Sequence, residues 1–221
     1  MNTVLLTKTD YAAKHSWQSP ERAAAYRQAR APARDRRLDR ENDILAGWLE
    51  DLPRRARVLD VPCGAGRLLP IFAERDNRYF GADISLSMLR ETEKQELPRH
   101  CGQFINTDAE QLPYADDSFD CVILWRLFHH LPDVRTREAI LREARRVTRQ
   151  RVILSFFNSL SLTSLRHKLQ TPFRGPCRKR HKITHWRLKR EAQRCGLEVV
   201  DLKSLRKYVS LNWFACLEKI V

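Results

Sequence analysis

The sequence predicts an α/β domain with a mostly parallel sheet and helices on both faces. A chain of 221 residues suits one such domain with additional elements. From residue 57 onward, apolar runs of strand length alternate with helix-length amphipathic segments, which is typical of repeated β-α units. The last two strand-like runs, 197–209 and 211–219, are joined by a tight connection. They indicate an antiparallel pair at one edge, with the last strand antiparallel.

Two regions of the chain differ in their pattern. Residues 1–54 are predicted to form a helical cap, with one helix that starts at Pro20 behind the N-cap Ser19 and a second over about 35–52. Residues 55–221 form the sheet domain, interrupted at about 158–183 by a basic insertion that we place over the carboxyl edge of the sheet. The seven strands are predicted at 58–61, 79–83, 103–107, 120–125, 151–157, 197–209 and 211–219, and the helices between them at 67–75, 86–94, 137–147 and 185–196.

Several function classes are disfavoured by composition. The longest apolar runs, such as Cys121–Trp125, are much shorter than the ~20 residues of a membrane-spanning helix. Residues 1–6 lack the pattern of a signal peptide, so we expect a cytoplasmic protein. The six cysteines contain no CxxC pair, which argues against a zinc site and fits a reducing compartment.

A glycine-containing loop, Asp60–Gly66, follows the first strand and opens a helix. Its glycines allow a tight turn and a close approach of the backbone to a ligand. Asp83 ends the next strand, 17 residues after Gly66, where a carboxylate can accept both hydroxyls of a ribose. Leu69 stands where a dinucleotide loop has its third glycine, which favours a nucleoside ligand without pyrophosphate. A purely structural turn is the alternative.

The motifs resemble a known family. Residues 58–66 resemble motif I of class I S-adenosylmethionine (SAM) dependent methyltransferases, and 81–85 resemble the acidic motif that follows it. Residues 108–120 are similar to the D-A-x-x-L-P-F-x-D-x-S-F-D stretch of the small-molecule branch that includes quinone- and biotin-pathway enzymes. The resemblance covers about 55–157 and departs at Pro62, where glycine is commonest. It implies SAM as cofactor and a Rossmann-like sheet in the order 3-2-1-4-5-7-6.

The resemblance also implies roles at the methionine end of SAM. Asp60, Gly64 and Gly66 would line this end of the cofactor. Cys63 is expected to pack beneath the cofactor, with a nucleophilic role as the alternative. The sulfonium would be bordered by the two residues that end the fourth strand, Leu124 and Trp125.

The adenosine end is assigned in the same way. Asp83 would hold the ribose hydroxyls, with Ile84 against the adenine. Asp108 would accept a hydrogen bond from the adenine amino group, with the backbone of Ala109 nearby. The N-terminal helices would cover the cleft with Trp17 or Tyr26 facing it, and plain packing on the sheet is the alternative.

His129 and His130 follow the fourth strand, where an acceptor would enter. Methyl transfer to oxygen or nitrogen requires removal of a proton, and a histidine can remove it near neutral pH. Alignment of the acceptor with the already activated methyl group is an alternative source of rate. One histidine packing under a loop is the other alternative.

The net charge of +14 is concentrated in one part of the chain. Residues 134–194 contain 18 Lys and Arg against three Glu, and residues 174–182 contain five Lys and Arg. Three explanations stay open: a solvated loop, recognition of an anionic small or lipid-linked ligand such as a phosphorylated glycolipid or a nucleotide, and binding of RNA or DNA. The second would allow peripheral membrane contact. Few aromatic residues that could stack on bases lie nearby.

These observations predict a SAM-dependent methyltransferase whose acceptor the sequence does not identify. The alternatives are an RNA or DNA methyltransferase, and a SAM-fold regulatory protein that senses a nucleotide-type ligand. The complete set of expected cofactor contacts favours an enzyme, since a pure scaffold has no need of all five: Asp60, Gly64, Gly66, Asp83 and Asp108.

Overall fold

The computed structural model describes residues 14–15, 17–29, 36–73, 75–97, 99–170, 180–206 and 209–220. It contains one seven-stranded sheet in the order β3-β2-β1-β4-β5-β7-β6. Strand β7 pairs antiparallel with both β5 and β6, and the other pairs are parallel. The predicted order and antiparallel last strand are therefore confirmed. The strands are β1 Arg57–Asp60, β2 Arg78–Asp83, β3 Cys101–Asn106, β4 Phe119–Leu124, β5 Thr148–Phe157, β6 Leu197–Ser204 and β7 Asn212–Lys219.

The helices lie at the predicted positions, and one of them is clearly shorter than predicted. Helix α1 begins at Pro20, and the Ser19 hydroxyl accepts a hydrogen bond from the backbone of Arg22, as an N-cap does. Helix α3 is shorter than the predicted 67–75, because the glycine loop continues in turns up to Leu68. The described helices are α1 Pro20–Gln28, α2 Arg36–Glu50, α3 Leu69–Ala73, α4 Leu86–Glu93, α5 Val134–Val147, α6 Leu162–Gln170 and α7 His185–Arg194, with a 3-10 turn at Phe128–His130.

Two apolar clusters cover the two faces of the sheet. In β4, Val122 and Leu124 belong to one cluster, whereas Cys121 and Ile123 belong to the other. This alternation reflects the two-residue period of a strand that is buried on both faces. Helices α5 and α7 contribute to the first cluster, and α2 and α3 to the second, so helices lie on both faces as predicted.

The N-terminal region packs closely on the sheet. Helix α2 buries Trp48, whose indole N–H donates to the Asp201 carboxylate at 2.9 Å and whose carbonyl accepts from Arg151 at 2.6 Å. These contacts link α2 to β5 and β6. The helix therefore helps to form the core, and the boundary at residue 54 stays a prediction.

In the described part of the insertion after β5, the chain forms one helix, α6. Asn158 pairs in parallel with Ile183, so the chain leaves and returns beside the carboxyl end of β5. Most of the basic segment 174–182 lies outside the described residues, which resume at Arg180. Within the described parts, no helix is long and apolar enough to cross a bilayer.

Candidate functional site

The glycine loop lies at the carboxyl edge of the sheet. Gly64 and Gly66 have φ values of 57° and 70°, a left-handed conformation that disfavours other residues. A Cβ atom on Gly66 would lie 2.6 Å from the Leu69 side chain, so this glycine permits close packing. A Cβ atom on Gly64 would have no neighbour within 4 Å. The backbone at Gly64 thus borders open space, as a loop that cradles a ligand does.

Asp60, the last residue of β1, has a buried carboxylate with one unsatisfied oxygen. Its Oδ2 accepts a hydrogen bond from the Tyr79 hydroxyl at 2.7 Å, whereas Oδ1 has no partner within the described residues. Burial raises the pKa of Asp60 to about 8. A buried acceptor without a partner is costly, and a cationic ligand group would relieve the cost. The ammonium group of SAM fits this requirement.

Asp83 connects β2 to the glycine loop. Its Oδ1 accepts from the Ser85 backbone and its Oδ2 from the Gly64 backbone, each at 2.8 Å. Burial raises the pKa of Asp83 to about 6. Each carboxylate oxygen retains acceptor capacity, so the pair can still accept from two adjacent hydroxyls. The predicted ribose contact therefore has the right donor-acceptor chemistry.

Asp108 has a partner that the sequence does not suggest. Its Oδ1 accepts from the Glu110 backbone at 3.1 Å, and its Oδ2 accepts from the Lys14 ammonium at 2.7 Å. Lys14 also donates to the Glu110 carboxylate at 2.6 Å, and all three side chains are buried. Ala109, next to Asp108, is buried as well. The carboxylate that is predicted to contact the adenine is thus bound by a lysine of the N-terminal region.

Trp17 and Gln18 form a strap that is hydrogen-bonded to the adenosine side of the expected site. The Ser85 hydroxyl donates to the Trp17 carbonyl, and the Ser87 hydroxyl donates to the Gln18 carbonyl at 2.7 Å. Gln18 in turn donates to the carbonyl of the half-buried Ile84 at 3.1 Å. The strap therefore lies directly over the residues expected to bind adenosine.

Trp17 and Tyr26 lie beside the glycine loop. Their rings make an edge-to-face contact at 5.1 Å and pack against a small cluster that includes Ala65 and Met88. Both rings therefore contact the loop region. That one of them faces bound cofactor stays a prediction.

Three further predicted residues are packed in the core. The Cys63 thiol is buried behind Gly81, and burial raises its pKa well above the ordinary value, which keeps it protonated. Leu124 joins the apolar cluster on one face. The Trp125 ring stacks on Phe214 at 4.9 Å, and its buried indole N–H has no partner within the described residues. The packing of Cys63 favours the non-nucleophilic interpretation, and the sulfonium contacts stay predictions.

A buried glutamate, Glu41 of α2, joins three parts of the site. It accepts hydrogen bonds from Arg67 after the glycine loop, from Arg126 after β4, and from Asn212 at the start of β7. Burial raises the pKa of Glu41, but the two guanidinium groups outweigh this effect and lower it. We did not predict this residue, although it interrupts the apolar stripe of α2 between Leu38 and Leu45 and is therefore visible as a polar residue on the inward face.

His129 and His130 lie at the expected position after β4. His129 is buried and stacks on Phe157 at 4.4 Å, and its Nδ1 has no partner within the described residues. Burial, followed by the charges of His130, Arg180 and Arg126, lowers the pKa of His129 to about 2. Its imidazole is therefore neutral and weakly basic. His130 is only half-buried, and a base role for either histidine stays a prediction.

The described residues contain no cluster of side chains that could hold a metal ion. The donor set at the carboxyl edge of the sheet fits the expected organic cofactor, because an acceptor without a partner, a carboxylate with spare lone pairs and an open glycine loop meet there.

Comparisons with known proteins agree with this geometry. Residues 59–156 match a family model described as a methyltransferase domain. The chain is 33% identical over 127 residues to a demethylmenaquinone methyltransferase of Geobacillus kaustophilus, and 36% identical over 130 residues to a ubiquinone/menaquinone biosynthesis C-methyltransferase of Hahella chejuensis. These matches cover 50% and 51% of this chain, and 53% and 51% of the relatives. The chain thus spans about half the length of the curated relatives it matches.

The fold is similar to that of solved methyltransferases. Magnesium protoporphyrin IX methyltransferase from Synechocystis PCC 6803, with bound SAH, superposes with a TM-score of 0.75 at 18% identity. The superposition covers 94% of this chain and 98% of that one. Residues 59–156 therefore match a methyltransferase domain, and the chain has the fold of solved methyltransferases, one of which holds SAH.

Proposed function

We propose that the protein transfers the methyl group of SAM to an acceptor that carries an anionic group. The acceptor is a small molecule or a lipid-linked compound, such as a phosphorylated glycolipid. The observation that carries this proposal is a pair of guanidinium groups, from Arg126 and Arg180, beside the position after β4 where an acceptor would enter.

Arg126 is held in place by unusual local structure. Its φ of 58° is rare for a residue other than glycine, and such backbone strain is concentrated at functional sites. Its guanidinium donates to both oxygens of the buried Glu41, at 2.9 and 3.1 Å. Its backbone N–H donates to the Ser155 hydroxyl at 2.6 Å. These contacts fix the guanidinium while other N–H groups remain for a ligand.

Arg180 approaches the same place from the insertion. Its guanidinium carbon lies 5.6 Å from the centre of the Phe157 ring, on which His129 stacks. Both arginines are near enough to His129 to lower its pKa. Two guanidinium groups around one aromatic stack suit a phosphate or carboxylate, because their N–H groups match its oxygens.

The names of the relatives add a suggestion about the rest of the acceptor. Some are ubiquinone/menaquinone biosynthesis C-methyltransferases, a name that gives carbon as the methylated atom. Aromatic side chains that could pack against a ring occur here: Phe157 stacks with His129, and Trp213 stacks with His185 at 5.6 Å. The chain spans only half the length of those relatives. We therefore propose methyl transfer as the reaction and do not propose a particular ring as the acceptor.

The test starts with cells fed methyl-labelled methionine, with and without the gene. Labelled metabolites, lipids and envelope glycolipids that depend on the gene identify the acceptor. Arg126→Met should then lower kcat/KM for it by about 10–150-fold, the effect of losing ~1.5–3 kcal/mol from a charged hydrogen bond. Binding of S-adenosylhomocysteine (SAH) should be unchanged, and Arg142→Met on α5 serves as the matched control.

Two results would contradict the proposal. An acceptor without an acidic group, or equal turnover by Arg126→Met and the wild type, would remove the role of the arginines. SAH binding without any labelled acceptor would favour the ligand-sensing alternative over an enzyme.

A further inference from the structure

The first turn of helix α6 is oriented in an unusual way, with small polar residues inward and Leu162 and Leu165 outward. Ser161, directly before the helix, and Ser164, within it, are buried at 1% and 0% exposure. Leu162 and Leu165 are exposed at 58% and 55%, and Leu160 at 52%. A helix on a water-facing surface normally shows the opposite arrangement. Its outer face is therefore suited to an apolar environment.

The leucines belong to a larger apolar surface. The backbone and hydroxyl of Thr163 both donate to the carbonyl of Val209, which joins α6 to the turn between β6 and β7. Val209 is itself 40% exposed. We call the surface formed by these exposed side chains the leucine patch: Leu160, Leu162, Leu165 and Val209. Contiguous exposed apolar residues of this kind mark interaction sites.

The charge around the patch identifies the kind of partner. No Asp or Glu occurs between Glu143 and Glu191 in the sequence. The exposed residues near the patch include Arg166 on α6 and Arg206, whose carbonyl accepts from the backbone of Val209. Leucines set among basic residues, in a stretch of sequence without carboxylates, are typical of helices that lie in the interface of an anionic membrane.

The patch lies at the same edge of the sheet as the acceptor position. Asn158, directly after β5, accepts from the hydroxyl of Ser161, and its own N–H donates to the Leu211 carbonyl at 2.9 Å. The preceding residue, Phe157, stacks on His129. A surface docked through α6 would therefore lie beside the opening through which an acceptor enters.

We propose that the leucine patch docks the protein on the surface of an anionic lipid bilayer, with the leucines among the lipid chains and the arginines at the headgroups. The docking itself goes beyond the proposed function. Its link to a lipid-linked acceptor rests on that function. A water-exposed acceptor would not require a leucine face on the helix next to the site.

The experiment measures partition of the full chain onto sedimented vesicles. The vesicles contain phosphatidylcholine alone, or phosphatidylcholine and phosphatidylglycerol in equal parts. We expect the wild type to bind the mixed vesicles and to bind phosphatidylcholine vesicles weakly. The double variant Leu162→Ser, Leu165→Ser should bind the mixed vesicles about tenfold less, because two apolar side chains no longer insert.

The matched control replaces exposed apolar residues elsewhere, Leu97→Ser with Val200→Ser, and should bind as the wild type does. Thermal melting shows that each variant is folded. Three results would overturn the proposal: no binding by the wild type, equal binding by the Leu162 and Leu165 variant, or a wild-type dimer that this variant converts to a monomer. The last result would assign the patch to a second copy of the chain.

SAH titration of the same preparations separates this inference from the proposed function. Vesicle binding without SAH binding would support the docking surface and contradict the proposed methyltransferase function. SAH binding without vesicle binding would contradict the docking surface and leave the proposed function standing.

Discussion

The carboxylate of Asp83 accepts hydrogen bonds from two backbone N–H groups in the ligand-free protein. Its burial makes the affinity for a ribose ligand depend on pH, and this dependence can be tested. Burial raises its pKa to about 6. A protonated carboxyl group cannot accept from both hydroxyls, so the ligand requires the ionised form. The Asp83 carboxylate should therefore contribute a fall in SAH affinity of up to about tenfold per unit below pH 6, which is separate from the titration of Asp60 near pH 8.

The variant Asp83→Asn supplies the control. It should bind SAH about 10–150-fold more weakly at neutral pH, because a charged hydrogen bond is lost, and it should lack the fall below pH 6. Calorimetry with SAH across this range measures both effects. An identical pH profile in the variant and the wild type would assign the titration to another group and refute the ribose role of Asp83.

Single residues of the site differ in how far the sequence predicts them. Asp60, Gly64 and Asp83 are predictable because a short motif fixes their positions at the ends of adjacent strands. The partner of Asp108 is not predictable, because Lys14 lies 94 residues away and no local pattern indicates the contact. Motifs report what the backbone brings together locally, and long-range ion pairs depend on how separate elements pack.

At the scale of elements, the N-terminal residues contact one end of the expected cofactor site. Lys14 holds the carboxylate that would accept from the adenine amino group. In Lys14→Met the ligand-free protein would keep two buried carboxylates, of Asp108 and Glu110, without their lysine partner, which is strongly destabilising. Bound ligand would supply the missing donor, so we expect SAH to bind about tenfold more tightly to the variant, a gain of ~1.4 kcal/mol.

Calorimetry measures this affinity, and thermal melting with and without SAH measures the stability. The melting temperature of ligand-free Lys14→Met should be lower than that of the wild type, and SAH should restore more of it. Arg22→Met, on the exposed side of α1, is the control. Weaker SAH binding by Lys14→Met would mean that the lysine supports the cofactor instead of competing with it.

Two helices show what apolar periodicity predicts and what it misses. In α2 the apolar residues Leu45, Trp48 and Leu49 follow helical spacing and are buried, and Glu41 lies on the same stripe because three partners offset the cost of burying its charge. For α6 the sequence shows no clean period. In its described first turn the inward residue is Ser164, with Ser161 directly before the helix, and periodicity does not report which face packs on the protein.

At the scale of the molecule, the sheet and the charge are predictable for different reasons. Alternating β-α units predict a parallel sheet, and the family resemblance supplies the order 3-2-1-4-5-7-6, which the structure confirms. The distribution of charge is counted directly from the sequence. The function of this charge depends on which surfaces the basic residues occupy. Most of the segment 174–182 lies outside the described residues.

The basic segment should act on the acceptor or membrane and not on the cofactor. SAM is a cation, so a positive neighbourhood does not help to hold it. Replacing Arg178, Lys179 and Arg180 together by Gln should therefore leave SAH affinity unchanged and weaken binding of the acceptor and of anionic vesicles. The loss should shrink with added salt, because charges beyond ~8 Å are already screened at physiological ionic strength and beyond ~3 Å at about 1 M.

The size of the salt effect distinguishes the possible partners. Binding to duplex nucleic acid should fall with a log–log slope near −0.9 per phosphate contact, whereas one phosphorylated ligand at one site gives a mild dependence and saturates. A matched triple variant at Arg142, Arg149 and Arg194 removes the same charge elsewhere in the basic region, where exposed ion pairs contribute little. If both triple variants methylate the acceptor and bind vesicles as the wild type does at low salt, the segment is a solvated loop. Recognition of an anion would then have to depend on Arg126, which neither variant alters.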